Sequence, residues 1–138
     1  MLVRERMSCT PVTITDDVPI TEALRLMRDR QVRRLPVLDQ EGNLIGIVSE
    51  KDLLYASPSP ATSLSIYEMH YLLSQLRIRE LMTTDVITVS PDTLLEEAAR
   101  IMVDHKIGGL PVTEGPKLEG IITQTDVFQG LLEEVGAR

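Results

Sequence analysis

The sequence predicts an α+β fold of two successive β-α-β-β-α repeats, and three observations carry that prediction. The phrase GIVSEKD at 46–52 returns as GIITQTD at 120–126, keeping a Gly, two branched apolar residues, a hydroxyl and an Asp. The longer stretch MSCTPVTITDDVPITEALRLMRDRQVRRLPVLD lies over MTTDVITVSPDTLLEEAARIMVDHKIGGLPVTE, so that Met7 meets Met82 and Leu35-Pro36-Val37 meets Leu110-Pro111-Val112, 75 residues on in both places. Register kept over about fifty residues marks an internal repeat. Within each copy, moreover, the apolar period passes from alternation to helical spacing and back to alternation.

Each element follows from local chemistry. Val12-Thr13-Ile14 and Val86-Ile87-Thr88-Val89 are short β-branched stretches that read as strands. A helix comes next: Asp17 can cap it and Pro19 suits its first turn, while Thr93 and Glu96 have capping-box spacing in the second copy. Ile20, Ala23, Leu24 and Met27, like Leu95, Ala98, Ala99 and Met102, form one apolar stripe per helix, which a sheet must cover. LPVLDQEGNLIGIVS is two apolar runs about a Gly-Asn turn, and LPVTEGPKLEGIIT repeats the plan about Gly-Pro, so each copy contributes a hairpin. Short helices over 50–55 and 125–132 close the copies. The resulting division is 1–56 for the first repeat, 57–78 for a linker and 79–138 for the second. The linker opens with the turn-rich ASPSPATSLS, after which Ser65 and Glu68 have capping-box spacing and Ile66, Met69, Leu72 or Leu73, and Leu76 share a face. That helix reads either as a connector packed on the core or as a surface for a dimer or partner.

Composition narrows the function. A hydrophobic content of 43% with 25% charged residues is globular, and no apolar run approaches the roughly 18 residues of a membrane span. MLVRERMSCT lacks the apolar stretch of a secretory signal, so the expectation is a soluble cytoplasmic protein without a membrane partner. The single cysteine, Cys9, cannot form an internal disulfide and is expected to pack as a buried thiol. A net charge of −7 argues against nucleic acid, which is bound by neutralising phosphates. Arg25, Arg28, Arg30, Arg33 and Arg34 nevertheless concentrate positive charge within ten positions, which suits a small anion. Catalysis finds little support: there is no Gly-x-Gly-x-x-Gly or Walker-type run, and His70 and His105 have no Cys or His at metal-ligand spacing. His70 reads as a helix-surface residue, and no metal site or required cofactor is expected.

The doubled pattern RRLPV…GIVSEKD and GGLPV…GIITQTD closely resembles a tandem pair of CBS domains, the small regulatory repeats named after cystathionine β-synthase. The resemblance covers nearly the whole chain. The linker SPSPATSLSIYEMHYLL is further similar to the CBS-pair proteins of acetoin-utilisation type. Some of those carry an extra C-terminal ligand domain, which this chain, ending six residues after Leu132, is expected to lack. The resemblance implies that the two repeats pack as one pseudo-twofold module with two clefts, that adenosine-containing ligands such as AMP, ADP, ATP or S-adenosylmethionine bind there, and that flat homodimers form through the helices.

The residues can be tested against that chemistry. A ribose offers two adjacent hydroxyl donors, and the acceptor-only carboxylate of Asp52 or Asp126 can take both. Ser49 and Thr123, three positions earlier, stand where a strand gives way to a helix, a place that favours phosphate. Plain N-capping by Ser49 or Thr123 accounts for the same spacing. By the family's geometry one cleft combines Thr123 and Asp126 with Val32, Arg33, Arg34 and Pro36, lined by Thr10, Pro11 and Val12. The other combines Ser49 and Asp52 with Ile107, Gly108 and Gly109, near Val86 and Ile87, with His105 and Lys106 as neighbouring cations. Two guanidiniums can fork onto phosphate, so the Arg33 cleft ranks first for a nucleotide. The sequence thus leaves two functions open: a nucleotide-sensing module, or an interaction module working through its 66–76 helix.

Overall fold

The computed structural model describes residues 1–56 and 64–136; the predicted linker turn at 57–63 lies outside the described residues. Two compact units emerge, one of Val12–Val86 and one of Met1–Pro11 with Ile87–Arg138. Each holds a helix, an antiparallel hairpin and a closing helix.

In the Val12–Val86 unit, α1 (Ile20–Arg30) precedes the hairpin β1 (Arg34–Leu38) and β2 (Leu44–Ser49), then α2 (Glu50–Tyr55) and α3 (Ile66–Gln75). In the other unit, α4 (Leu95–His105) precedes β3 (Gly109–Glu114), β4 (Lys117–Thr123) and α5 (Gln124–Gly136). The hairpins share a register. Val37 faces Gly46 and Val112 faces Gly120, and in both the ladder shifts at the next pair, leaving Ile45 and Glu119 as the extra residues of equivalent bulges. Gly115, at φ +58°, occupies the first position of the two-residue Gly-Pro turn, where a positive φ is needed.

The predicted strands over 12–14 and 86–89 shrink to single parallel bridges, Ile14 with Val37 and Val89 with Val112. The cause is the proline of Leu-Pro-Val. Ile14 donates to the Pro36 carbonyl at 3.1 Å and accepts from Leu38 N–H at 2.9 Å; the next rung would need an N–H that Pro36 does not have. Val89, Pro111 and Thr113 repeat this pattern at 3.1 and 2.9 Å.

Two apolar cores correspond at eight positions, and fully buried Leu53 of the first has half-buried Val127 as its counterpart in the second. Ile14, Ile20, Ala23, Met27, Leu35, Val37, Val48 and Ile78 bury one unit, and Val89, Leu95, Ala98, Met102, Leu110, Val112, Ile122 and Val3 bury the other. Val3, ahead of the aligned stretch that starts at Met7, and Ile78, in the predicted linker, complete the correspondence. Val3 donates to Thr93 O at 2.9 Å, and Ile78 donates to Val18 O at 2.9 Å. Residues 1–11 thus finish the unit that contains the second copy, and residues 76–86 finish the first.

Several local expectations are corrected. Asp17 does not cap α1, whose N-cap is Pro19; its carboxylate accepts the Thr15 hydroxyl at 2.6 Å instead. Thr93 and Glu96 form no capping box, because α4 starts after Leu94 and Thr93 Oγ1 takes the Ser90 N–H at 3.0 Å. Ser65 does cap α3, accepting Glu68 N–H at 3.1 Å, but Ile66 points outward while Met69, Leu73 and Leu76 are half-buried. Cys9 is exposed, being carried in the turn between the Ser8 bridge and Pro11 rather than in an apolar core. The closing helix of the second copy runs on to Gly136, beyond its predicted end.

Candidate functional site

The repeated phrase acquires a different physical reason at each position. Gly46 and Gly120 are buried where a second chain segment crosses: a Cβ at Gly120 would stand 2.4 Å from Ser8 O, and one at Gly46 would stand 2.7 Å from Met82 Sδ and 3.0 Å from Thr83 O. Those segments bridge the strands directly, Ser8 with Ile121 and Thr83 with Ile47. Val48 and Ile122 enter the cores.

The hydroxyl and the Asp close a reciprocal box at each strand-to-helix junction. Ser49 N–H donates to Asp52 Oδ2 at 3.0 Å while Asp52 N–H donates to Ser49 Oγ at 3.1 Å. In the other unit Asp126 Oδ2 accepts both the N–H of Thr123 at 2.9 Å and its hydroxyl at 3.0 Å, and Asp126 N–H reaches Thr123 Oγ1 at 3.4 Å. N-capping is therefore what these residues do locally. Each box uses one carboxylate oxygen. The second, Oδ1 of Asp52 or Asp126, accepts no hydrogen bond among the described residues.

Within the Val12–Val86 unit, the arginines adjoin the first box. Arg34 is the cross-strand partner of Ser49, and the Arg33 carbonyl accepts Glu50 N–H at 2.7 Å. Arg33 is exposed and Arg34 half-buried, and neither forms an ion pair among the described residues. Burial, then the Arg33 charge beside it, pushes the Arg34 guanidinium below its ordinary pKa, so a neighbouring anion would relieve both effects. Val32 is half-buried and Pro36 buried in the same unit.

Within the other unit, Gly109 faces Thr123 and Gly108 O accepts Gln124 N–H at 3.0 Å, so Ile107, Gly108 and Gly109 adjoin the second box without a cation between them. His105 and Lys106 are exposed at the end of α4, where Lys106 adopts the left-handed conformation. Thr10 and Pro11 follow the Ser8 bridge in this unit, whereas Val12 belongs to the other; Val86 and Ile87 are divided in the same way. A hollow of about 300 Å³ between Met1, α4 and α5 contains none of these residues.

What these features define is a tandem-repeat protein with one polar box per repeat. Its family is the CBS domain: the chain belongs to it, the family model matching residues 3–59 and 78–133. It is 35% identical, over 92% of its length, to the uncharacterised protein MJ1404 of Methanocaldococcus jannaschii, of which it spans 31%. Among solved structures it is similar to a putative acetoin utilization protein (AcuB) from Vibrio cholerae, with TM-score 0.81, 33% identity and coverage of 99% of this chain and 93% of that one. The CBS domain pair of protein MJ0100, in complex with 5-methylthioadenosine and S-adenosyl-L-methionine, matches with TM-score 0.80 and 26% identity over 97% of this chain and 98% of its own. CBSX2 in complex with AMP matches with TM-score 0.79 and 30% identity, covering 96% of each chain. No helix among the described residues is long and apolar enough to cross a membrane.

Proposed function

We propose that the chain is a cytoplasmic regulatory module that binds an adenosine-containing ligand, AMP, ADP, ATP or S-adenosylmethionine, and performs no catalysis itself. The observation that carries this reading is the pair of boxes whose carboxylates each keep one oxygen without a partner among the described residues. A ribose diol supplies the donors such an oxygen lacks. Similar CBS pairs in complex with AMP, or with 5-methylthioadenosine and S-adenosyl-L-methionine, support the ligand class. Arg33 and Arg34 are the phosphate grip, two cations without ion-pair partners among the described residues in a chain of charge −7. The family resemblance assigns Thr123 and Asp126 to the same ligand as this pair, leaving Ser49 and Asp52 to a second and weaker site with Ile107, Gly108 and Gly109.

Regulation requires that ligand favour one of two states. We expect a homodimer, for which exposed Leu94, Val103 and Leu131 offer apolar surface. Neither nucleic acid nor membrane is expected as a partner. Calorimetric titration with AMP, ADP, ATP, S-adenosylmethionine and NADH tests the reading: binding of at least one supports it, and silence from all five refutes it. One observation favours an interaction module instead. Tyr67 and Tyr71, 86% and 63% exposed, project from α3, and exposed aromatic residues are typical interface anchors. That alternative gains if all five titrations are silent.

A further inference from the structure

The arginine pair is held through its backbone. Arg33, one residue before β1, gives its carbonyl to Glu50 N–H at 2.7 Å. Glu50 lies inside the four-residue turn that Ser49 and Asp52 close with their two hydrogen bonds. Arg34 then pairs with Ser49 across the ladder, which puts both side chains on one face of the hairpin. The same link recurs in the other unit, where Gln124 N–H donates to Gly108 O at 3.0 Å and Gly109 pairs with Thr123. It belongs to the repeat, and only in the first copy does it end on cations.

We infer that Asp52 is a positioning residue for Arg33 and Arg34: its carboxylate closes the turn that presents Glu50 N–H to the Arg33 carbonyl, fixing the backbone from which both guanidiniums extend. The inference rests on the reading above, that the pair grips the ligand's anion. It also opposes simple electrostatics in sign. A carboxylate near an anion site repels the anion, so charge alone makes Asp52→Ala bind AMP more tightly. Positioning makes it bind more weakly.

The test titrates AMP and adenosine into the full chain and into Asp52→Ala, Asp52→Asn and Ser49→Ala, with amide hydrogen exchange followed at Glu50. Losing one hydrogen bond that holds the turn should weaken AMP at the tighter site by about three- to tenfold in Asp52→Ala, while adenosine there is unchanged and Glu50 exchange accelerates. Asp52→Asn keeps an oxygen acceptor for Ser49 N–H and should bind AMP at the tighter site at least as tightly as the unsubstituted protein. Ser49→Ala, which leaves that same bond in place, should show a smaller loss with the same selectivity for AMP. It also serves if Asp52→Ala does not fold. Unchanged or tighter AMP binding in both Asp52→Ala and Ser49→Ala, an equal loss in Asp52→Asn, or an equal loss for adenosine overturns the inference. If AMP binding is absent, or indifferent to Arg33→Ala with Arg34→Ala, the phosphate reading fails first and the inference falls with it.

Discussion

Adding one methyl group to Gly120 should cost more than adding it to Gly46, although the two glycines are repeat equivalents. At Gly120 the new Cβ would stand 2.4 Å from Ser8 O, far inside the roughly 3.5–4.0 Å of comfortable contact. That oxygen belongs to backbone which can retreat only by stretching two hydrogen bonds, Ser8 N–H to Ile121 O at 2.9 Å and Ile121 N–H to Ser8 O at 3.0 Å. Two such bonds are worth about 1–3 kcal/mol, and overpacking adds a similar amount. The smaller entropy of an unfolded chain with Ala returns about 0.4–1 kcal/mol. The expected net loss is therefore about 1–5 kcal/mol, centred near 3. At Gly46 the nearest atom, at 2.7 Å, is the end of the flexible Met82 side chain, and Thr83 O stands at 3.0 Å, so about 1–2 kcal/mol is expected. Urea unfolding with unchanged m-values measures both. A neutral Gly120→Ala, or one less damaging than Gly46→Ala, refutes the close-approach explanation.

Further expectations concern stability and assembly. Gln31 ends α1 at φ +55°, so Gln31→Gly should relieve left-handed strain and raise stability by about 0.5–1 kcal/mol in the same urea assay. Leu110→Ala, emptying a fully buried position, should cost about 2–5 kcal/mol, with Leu35→Ala comparable because the two cores correspond. The Thr15 hydroxyl, and then the backbone hydrogen bond at Asp17, hold the Asp17 carboxyl below its ordinary value of 3.8. A carboxyl lowered on folding contributes stability above its unfolded pKa and loses it as pH falls through the folded one, so Thr15→Ala should flatten the stability profile below about pH 4. Light scattering at tens of micromolar should report a dimer, and a monomer with and without nucleotide would remove that expectation.

Much of the fold was legible because the repeat constrains itself. Apolar stripes, hairpin turns and the Ser65 cap are each written twice or bounded by unambiguous turn formers. Three features escaped. Pro36 and Pro111 were read as part of a motif, while their missing N–H is what reduces the preceding strands to single bridges. Asp17 and Thr93 have the chemistry of caps, but their oxygen atoms are taken by donors on the preceding side, the Thr15 hydroxyl two residues back and the Ser90 N–H three residues back. The exchange of segments 1–11 and 76–86 between the units is written ahead of Met7 and Met82, outside the aligned stretch. Extending it to Val3-Arg4-Glu5-Arg6-Met7 over Ile78-Arg79-Glu80-Leu81-Met82 shows the signal. At the site, spacing reveals the boxes and the hairpin beside the arginines, yet it cannot show that Arg34 stands directly opposite Ser49, since that depends on the β1–β2 register.

The phosphate grip is the part of the account most open to a single measurement: calorimetric affinities of AMP and adenosine for the unsubstituted chain and for Arg33→Ala combined with Arg34→Ala. Two charge-assisted contacts at a half-buried site predict a loss of about 2–4 kcal/mol for AMP, or roughly thirty- to a thousandfold, with adenosine nearly unchanged. Raised salt should weaken AMP in the unsubstituted chain in the same direction. Equal losses for AMP and adenosine, or no loss for either, would contradict the account.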